Sequence, residues 1–365
     1  MKTLLIFSNP FGFGPSGKAI SIYKYINKNS KNVKVYLCGS DYLRQIAGKE
    51  CNFINVDERS EESISDLVKK IDGEKYILGS QNRFSIKVAV KNHIPCAFID
   101  GLSWFWNDIP QDHFLANIIF WLGYPRIETR IPSSFKHKIF IIHGITENLK
   151  KIKSSKRDGI LIYIGGCKNP LAPFPVNYLD LVGRVLEHVI SKGFRIELAV
   201  DKESQKYLAK YARLKKKIKN YNHHHFLIKL STVEKFITNG GQTATIEASG
   251  FDTPTSFFLP INLSQVALIA KLNAVDSYDF SLNWNDYVRI PNKIYDYSEK
   301  NAIEFLNNKS KELLNESKAF NRLCDDLINL ISKNVDKGNR SNFLHSIGST
   351  GAEDIYEVLH QEWNI

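Results

Sequence analysis

Long apolar runs and paired cysteines are both missing from this chain of 365 residues. No window of about 18 apolar residues occurs, so the sequence predicts no membrane-spanning helix. The five cysteines are an odd number without a Cys-x-x-Cys pair, which argues against a disulfide framework or a zinc ribbon. This usage predicts a reducing, cytoplasmic environment. The first apolar stretch is too short for a signal peptide, and we interpret it as a buried first strand.

The balance of charge is strongly positive. The sequence has 49 Lys and Arg against 38 Asp and Glu, which gives a net charge of +11. The lysines are scattered apart from a cluster at 215–219, and no nucleic-acid-binding motif accompanies them. We therefore expect no nucleic-acid partner, and an anionic small substrate explains the charge most simply.

The first part of the chain alternates predicted strands with predicted helices. A helix is also predicted at 112–121, between the last two of the predicted strands, which lie at 4–8, 33–38, 76–79, 96–100 and 139–142. Strands that alternate with helices and lack hairpin turns form a parallel sheet with helices on both faces.

The same pattern occurs twice, which predicts two domains. The first is expected at 1–146, a polar lysine-rich linker at 147–157, and the second domain at 158–345. A final helix within 346–365 is expected to cross back to the first domain. The sequence therefore predicts an α/β protein with two Rossmann-like domains facing across a cleft.

The loop after the first strand is rich in glycine. Gly12, Gly14 and Gly17 have the spacing Gly-x-Gly-x-x-Gly, and Ser16 lies among them. The loop falls at the carboxyl edge of the predicted sheet, where such folds bind their ligands. Gly12, Gly14 and Ser16 are therefore candidate ligand contacts, and a tight strand-to-helix turn is the alternative.

A second glycine turn opens the second half of the chain. Gly165 and Gly166 follow its first predicted strand, so they also fall at a carboxyl edge. Lys168 is a candidate phosphate contact in the same turn. A turn that carries only a solvated lysine fits the sequence equally well.

The most specific pattern lies at 236–254. It predicts a short strand, a Gly240-Gly241 turn, a short helix opened by Thr243, and a second strand. A helix start behind two glycines is an anion site, because the ligand approaches the backbone and meets free amides and the helix dipole. Glu247 follows on the same helix, within reach of the same ligand. A phosphate group and a sugar hydroxyl bound within one turn indicate a nucleotide.

The whole string from Gly240 to Pro254, followed by Pro260 and Gln265, resembles the donor-nucleotide motif of GT-B glycosyltransferases. It is similar to the group that contains the lipid II-forming N-acetylglucosaminyltransferase and the macrolide and UDP-glycosyltransferases. Gly250 comes early relative to their pattern. The likeness covers about thirty residues (236–266), and a capped helix between two strands remains the alternative.

The resemblance implies a role for each matching residue. Glu247 would accept hydrogen bonds from the ribose, and Gln265 would contact the donor sugar. The glycine turn Gly165-Gly166 would border the donor, and the first loop would lie on the acceptor side. The diphosphate would be held by the helix start, at Gly240, Gly241, Gln242, Thr243 and Thr245. Since helix amides replace a metal as counter-charge and no Asp-x-Asp motif is evident, neither metal nor cofactor is expected.

The catalytic base is less clearly marked. Many inverting members of the family carry a histidine in the first glycine loop, and this chain has none there. Asp100 ends a predicted strand, where a carboxylate can take a proton from an acceptor hydroxyl. A turn cap is the alternative role for Asp100. Asp108 and His113 are less favoured choices for the base.

Three further groups of residues are ambiguous. Trp104 and Trp106 are suited to stacking on an acceptor, and domain core is the alternative. The run 114–121, with two nearby arginines, is either a buried helix or a peripheral membrane contact. Residues 223–225 are three consecutive histidines, which we interpret as a solvated basic loop because they cannot share one metal on a regular element.

The resemblance thus implies an enzyme. It would be a metal-independent, inverting glycosyltransferase that moves a sugar from a nucleoside-diphosphate sugar to a small-molecule or lipid-like acceptor. One alternative is a nucleotide-sugar hydrolase or epimerase with the same fold. Another is a catalytically inactive protein that binds nucleotide sugars.

Overall fold

The computed structural model describes residues 2–106, 108–124, 126–147, 157–167, 169–273, 280–333 and 347–365. The chain divides into two compact units, one formed by Met1–Asn148 with Ser346–Ile365 and the other by Leu149–His345. Each unit is a parallel sheet flanked by helices. The predicted fold class, α/β with two Rossmann-like domains, is confirmed.

The first unit contains a seven-stranded sheet with the order β3-β2-β1-β4-β5-β6-β7. All of its strand pairings are parallel, as the near-continuous apolar runs predict. Its strands are β1 (Lys2–Ser8), β2 (Val33–Gly39), β3 (Phe53–Asn55), β4 (Lys75–Ser80), β5 (Cys96–Asp100), β6 (Ile118–Leu122) and β7 (Ile139–Ile142). Its first helices are α1 (Gly14–Asn29), α2 (Asp41–Ala47), α3 (Glu61–Lys70) and α4 (Arg83–Lys91), followed by 3₁₀ helices at Gln111–Phe114, Ile127–Arg130 and Ser133–Lys138.

The predicted helix at 112–121 is wrong. A 3₁₀ helix ends at Phe114, and the apolar run then forms strand β6, all of whose residues are buried. A short run that is apolar throughout does not distinguish a buried strand from a buried helix. Phe114 is only 6% exposed and Trp121 is fully buried, so these side chains belong to the core and form no membrane-facing surface. No helix among the described residues is long and apolar enough to span a bilayer.

The second unit contains a six-stranded parallel sheet with the order β10-β9-β8-β11-β12-β13. Its strands are β8 (Ile160–Tyr163), β9 (Ile196–Ala199), β10 (Ile218–Lys219), β11 (Lys235–Thr238), β12 (Thr255–Phe257) and β13 (Phe280–Ser281). Its helices are α5 (Val176–Ser191), α6 (Lys202–Leu208), α7 (Ala212–Lys215), α8 (His223–Thr232), α9 (Gln242–Gly250), α10 (Leu263–Asn273), α11 (Glu299–Asn315) and α12 (Ser317–Ser332), with 3₁₀ helices at Trp284–Asp286 and Asn292–Asp296.

The last helix, α13 (Gly351–Trp363), belongs to the first unit, where it packs against α1. Lys2 Nζ donates to the Trp363 carbonyl oxygen at 2.7 Å, and the Trp363 ring stacks on Tyr76 with centroids 4.8 Å apart. A lysine is favourable at this place because the end of a helix presents unpaired carbonyl groups.

Candidate functional site

The glycine turns of the second unit lie side by side at its sheet edge. β8 and β11 are neighbours in the sheet, and Thr238 pairs with Tyr163 at their carboxyl ends. The chain order of the strands reverses between these two, and in open α/β sheets ligands bind outside such a switch point. Asn239 joins the two turns, because its Nδ2 donates to the Ile164 carbonyl oxygen at 2.8 Å. The structure therefore brings Gly165 and Gly166 close to the start of α9.

A glycine leads into α9. Gly241 precedes the first residue of the helix and provides no side-chain cap. A Cβ at Gly241 would meet no atom of the described residues within 4 Å. Gln242 and Thr243 form the first turn, so their amides point along the helix axis toward this space. An anion at this position would meet the positive end of the helix dipole.

Two neighbours shape that helix start. Gly240 has a φ of +87°, and a Cβ there would lie 2.9 Å from the Ile269 side chain and 3.3 Å from the Gln265 carbonyl oxygen. The first turn of α10, which carries Gln265, therefore packs directly against the glycine turn. Thr245 uses its hydroxyl within α9, where Oγ1 donates to the Gly241 carbonyl oxygen at 2.8 Å.

Glu247 is a buried carboxylate with a histidine partner. It is only 1% exposed, and its Oε1 lies 2.6 Å from Nε2 of His223. Burial of a carboxylate is costly unless it is paired or hydrogen-bonded, and His223 supplies that partner. Burial, followed by the nearby Glu247 and Asp201 carboxylates, raises the pKa of Tyr163 well above its usual range. The Tyr163 hydroxyl therefore stays neutral beside Glu247.

The three histidines at 223–225 are not a loop. His223 is the first residue of α8, and Asn222 caps that helix by accepting from the His225 amide at 2.9 Å. His223 points inward and is 7% exposed, whereas His224 and His225 are exposed. The interpretation as a solvated loop is therefore wrong for His223.

The side chain of Gln265 braces the turn that precedes it. Its Oε1 accepts from the Ile261 amide at 2.9 Å, and the backbone N–H of Gln265 donates to Asn262 Oδ1 at 3.0 Å. These bonds hold Gln265 in the first turn of α10, beside Gly240. Because Oε1 is engaged, a contact between the Gln265 side chain and the donor sugar would have to be made by its Nε2 group.

The turn after Gly166 is anchored by a buried aspartate. Asp201 is 3% exposed and accepts from the Cys167 amide at 3.0 Å while capping α6 through Ser204. Lys168, the predicted phosphate contact, lies outside the described residues.

In the first unit, Asp100 ends β5 at the carboxyl edge of the sheet, as predicted. It is 1% exposed, and both of its oxygens are occupied. Oδ1 accepts from the Leu102 amide at 2.9 Å and from Trp106 Nε1 at 3.4 Å, and Oδ2 lies 2.9 Å from Nδ1 of His113. Asp100 is therefore a buried carboxylate that is hydrogen-bonded through both oxygens.

The first glycine loop is short, because α1 begins at Gly14, inside the glycine-rich segment. Pro15 favours this early start, since proline fits the first turn of a helix. Gly12 stays in the loop, while Gly14 and Ser16 lie in the first turn. The Ser16 hydroxyl is buried 3.2 Å from the Ser8 hydroxyl, which ties the helix to β1.

The two tryptophans differ in environment. Trp104 is 7% exposed and stacks on Tyr124 with centroids 5.0 Å apart, so it is part of the core of the first unit. Trp106 is half-buried, and its indole N–H faces Asp100. The carbonyl groups of both residues accept from the Arg130 guanidinium, which fixes the loop.

Sequence reasoning missed the partners that complete these groups. His223, Asn239 and Asp201 are each far in sequence from the groups they hold. Only Asp201 had a local signal in the sequence, since it lies between a strand and a helix as N-cap residues do.

In the described ranges, no group of three or more His, Cys, Asp or Glu side chains forms a potential metal site.

Comparison with known proteins identifies the fold. No protein-family model and no curated protein matches the sequence. UDP-GlcNAc 2-epimerase from Neisseria meningitidis, bound to UDP-GlcNAc, is similar in structure with a TM-score of 0.55 and 12% identity over 99% of this chain and 100% of that one. The UDP-GlcNAc 2-epimerase of Methanocaldococcus jannaschii, in complex with UDP-GlcNAc and UDP, gives 0.53 and 13% identity over 99% and 100%.

A third similar structure was solved with UDP. LpCGTa in complex with UDP has a TM-score of 0.53 at 7% identity, over 99% of both chains. At these identities the likeness establishes the fold and does not select the lipid II-forming group. The chain therefore has the GT-B fold that its donor-nucleotide motif implies.

Proposed function

We propose that this protein is an enzyme that acts on a nucleoside-diphosphate sugar, with a UDP-sugar as its substrate. It would change the sugar without a separate acceptor, as an epimerase or a hydrolase. One observation carries the proposal: two glycine turns, a helix start preceded by glycine and a buried carboxylate lie at the switch point of one sheet. The epimerases of similar fold, which were solved with UDP-GlcNAc or UDP, favour this substrate class.

The proposed binding mode follows the geometry of the second unit. The diphosphate would lie at the start of α9, against Gly241 and the amides of Gln242 and Thr243, with Gly165 and Gly166 on its other side. The ribose would reach Glu247, which His223 holds in place. The helix amides and dipole would balance the diphosphate charge, so we propose that binding needs no metal.

Glycosyl transfer is the second candidate. The string from Gly240 to Gln265 resembles the donor motif of GT-B glycosyltransferases, and Gln265 lies beside the glycine turn. The similar fold of LpCGTa agrees with this candidate. The two candidates share the donor site and differ in whether an acceptor is needed.

A single incubation separates the candidates. The protein is mixed with UDP-GlcNAc in D₂O without an acceptor and followed by ¹H and ³¹P NMR. An epimerase inverts a sugar carbon and introduces deuterium there, and a hydrolase releases free sugar and UDP. A transferase leaves the donor intact until an acceptor is added. Failure of UDP and UDP-GlcNAc to bind at all would refute the proposed function.

Glu247→Ala should weaken UDP binding by about 2–4 kcal/mol, or roughly 30- to 1,000-fold, because hydrogen bonds between a carboxylate and the ribose hydroxyls are lost. Isothermal titration calorimetry with UDP and with 2′-deoxy-UDP measures this. The wild type should discriminate between these two ligands, and the variant should not.

Glu247→Gln is the matched control for folding, since its amide oxygen still accepts from His223. It should keep wild-type stability and show an intermediate affinity. If Glu247→Ala bound UDP with unchanged affinity, Glu247 would not contact the ribose.

A further inference from the structure

We propose that one edge of the second unit binds the surface of an anionic lipid bilayer. This basic edge consists of the cationic side chains that precede strands β9 and β10, namely Lys192, Arg195, Lys215, Lys216 and Lys217. The proposal goes beyond the proposed function, because it depends on no property of the donor site. It also concerns a different surface from Phe114 and Trp121, which lie in the core of the first unit.

The sheet topology brings these side chains to one edge of the second unit. β9 and β10 are parallel neighbours, so the residues that precede both strands emerge at the same edge. Lys192 and Arg195 lie between the end of α5 and β9, and the three lysines connect the end of α7 to β10. The Leu198 amide donates to the Lys217 carbonyl oxygen at 3.0 Å, which fixes the lysine segment beside β9. The basic edge is therefore a defined part of the fold.

Within the described residues, ion pairs do not neutralise the basic edge. All five side chains are exposed, and none of their nitrogens lies within 4.0 Å of a carboxylate oxygen of those residues. The carboxylates of the adjoining helix α5 have other partners, since Asp180 pairs with Lys210 at 2.5 Å and Glu187 with Arg213 at 3.5 Å. Farther along the sheet, Asp158 precedes β8. Five unpaired cations on one edge create a local positive potential that attracts anions.

This charge is too far from the proposed donor site to bind the diphosphate. The donor site lies at the carboxyl ends of β8 and β11, whereas the basic edge lies at the amino ends of β9 and β10. β9 has four residues, so its two ends are about 13 Å apart at about 3.3 Å per residue. That distance exceeds the Debye length of about 8 Å at physiological ionic strength. The basic edge is therefore available to another anionic partner.

The composition of the basic edge favours a bilayer over a nucleic acid. Four of its five cations are lysines, which act as point charges, whereas bases are read by side chains that a helix or ribbon brings into a groove. Here α7 has only four residues, and Lys192 lies past the end of α5. Phe194 is a partly exposed ring between Lys192 and Arg195. Cations around an apolar ring suit the boundary between anionic headgroups and acyl chains.

Co-sedimentation of the full chain with sucrose-loaded vesicles tests the proposal. At about 0.1 M salt we expect binding to vesicles that mix phosphatidylglycerol with phosphatidylcholine, and little binding to phosphatidylcholine alone. Raising the salt to about 0.5 M should release the protein, because the Debye length becomes shorter. Equal binding to the two kinds of vesicle, or binding to neither, would overturn the proposal.

The decisive variant combines Lys192→Gln, Arg195→Gln, Lys215→Gln, Lys216→Gln and Lys217→Gln. Its binding to the anionic vesicles should fall roughly 100- to 1,000-fold, because each basic residue near an anionic surface adds to the attraction. The matched control removes the same charge from exposed lysines of the first unit by glutamine at Lys28, Lys31, Lys49, Lys70 and Lys91. The control should bind within about threefold of the wild type, since charges beyond a Debye length from the bilayer contribute little. Equal losses in the two variants would overturn the proposal.

Two further measurements test the other anionic partners. The combined variant should keep wild-type UDP affinity and thermal stability, and a loss of UDP affinity in the folded variant would assign the basic edge to the donor and overturn the proposal. Fluorescence anisotropy with a labelled DNA duplex tests a nucleic acid. Duplex binding that requires the five cations, without binding to anionic vesicles, would also overturn the proposal.

Discussion

Gly241→Val should weaken UDP binding by about 2–4 kcal/mol, or roughly 30- to 1,000-fold, while the free energy of unfolding changes by less than about 1 kcal/mol. Gly241 has φ −65° and ψ 117°, a backbone conformation that valine adopts without strain. Among the residues that the structure describes, none has an atom within 4 Å of a Cβ at this position. The added side chain would therefore fill only the space through which a diphosphate reaches the α9 amides. Calorimetry with UDP and urea denaturation measure the two effects.

Two other glycines act as controls for this experiment. Gly240 and Gly193 have φ of +87° and +90°, so alanine at either should cost about 1–2 kcal/mol of stability. Only at Gly240 does the new Cβ also approach Ile269, at 2.9 Å. Gly240→Ala should thus be the less stable of the two variants. If a folded Gly241→Val protein bound UDP with wild-type affinity, the diphosphate could not bind at this turn.

Glu299→Gln should stabilise the protein by about 3 kcal/mol at pH 8 and have little effect near pH 4.5. Both carboxylate oxygens of Glu299 are buried, and in the described part of the chain neither accepts a hydrogen bond of normal geometry; the Leu263 amide is only a weak partner. Burial raises the pKa of Glu299 from 4.5 to about 7, and the Leu263 amide at the start of α10 opposes this shift in part. The pKa of the folded state is therefore above that of the unfolded state.

The sign of the pH effect follows from this shift. Between pH 4.5 and about 7, the folded protein holds the Glu299 proton more tightly than the unfolded chain does. The contribution of Glu299 to stability is thus largest below 4.5 and falls as the pH rises through the folded pKa. Glutamine has no proton to lose, so the variant should show a flatter stability profile.

Urea denaturation from pH 4.5 to 8 measures the Glu299 effect. Glu304→Gln, on the same helix α11, is the matched control and should follow the wild-type profile. Parallel profiles for the wild type and Glu299→Gln would show that the Glu299 carboxylate is not desolvated.

Local sequence predicted the strand–turn–helix elements well where turn chemistry and periodicity agree. The Gly240-Gly241 turn is followed by a helix that carries Glu247, and Asp100 ends a buried strand, as the pattern indicates. Both depend on residues close together in the chain. The apolar run of β6 was misjudged because burial on both faces removes the alternation that marks a strand.

The partners of the site residues could not be predicted in this way. His113 lies 13 residues from Asp100 across a 3₁₀ turn, and His223 lies 24 residues from Glu247 on another helix. No local propensity links such pairs, because only the packing of the elements brings them together. The second pairing also changed an interpretation, because His223 is a buried partner of Glu247 and not part of a solvated loop.

A crystal structure of the protein with UDP tests the proposed donor site most directly. We expect the diphosphate within hydrogen-bond distance, about 3 Å, of the amides of Gln242 and Thr243, and the ribose hydroxyls in contact with Glu247. Gly165 and Gly166 should border the same ligand. UDP bound away from the β8–β11 switch point, with Glu247 contacting only His223, would contradict the proposed donor site.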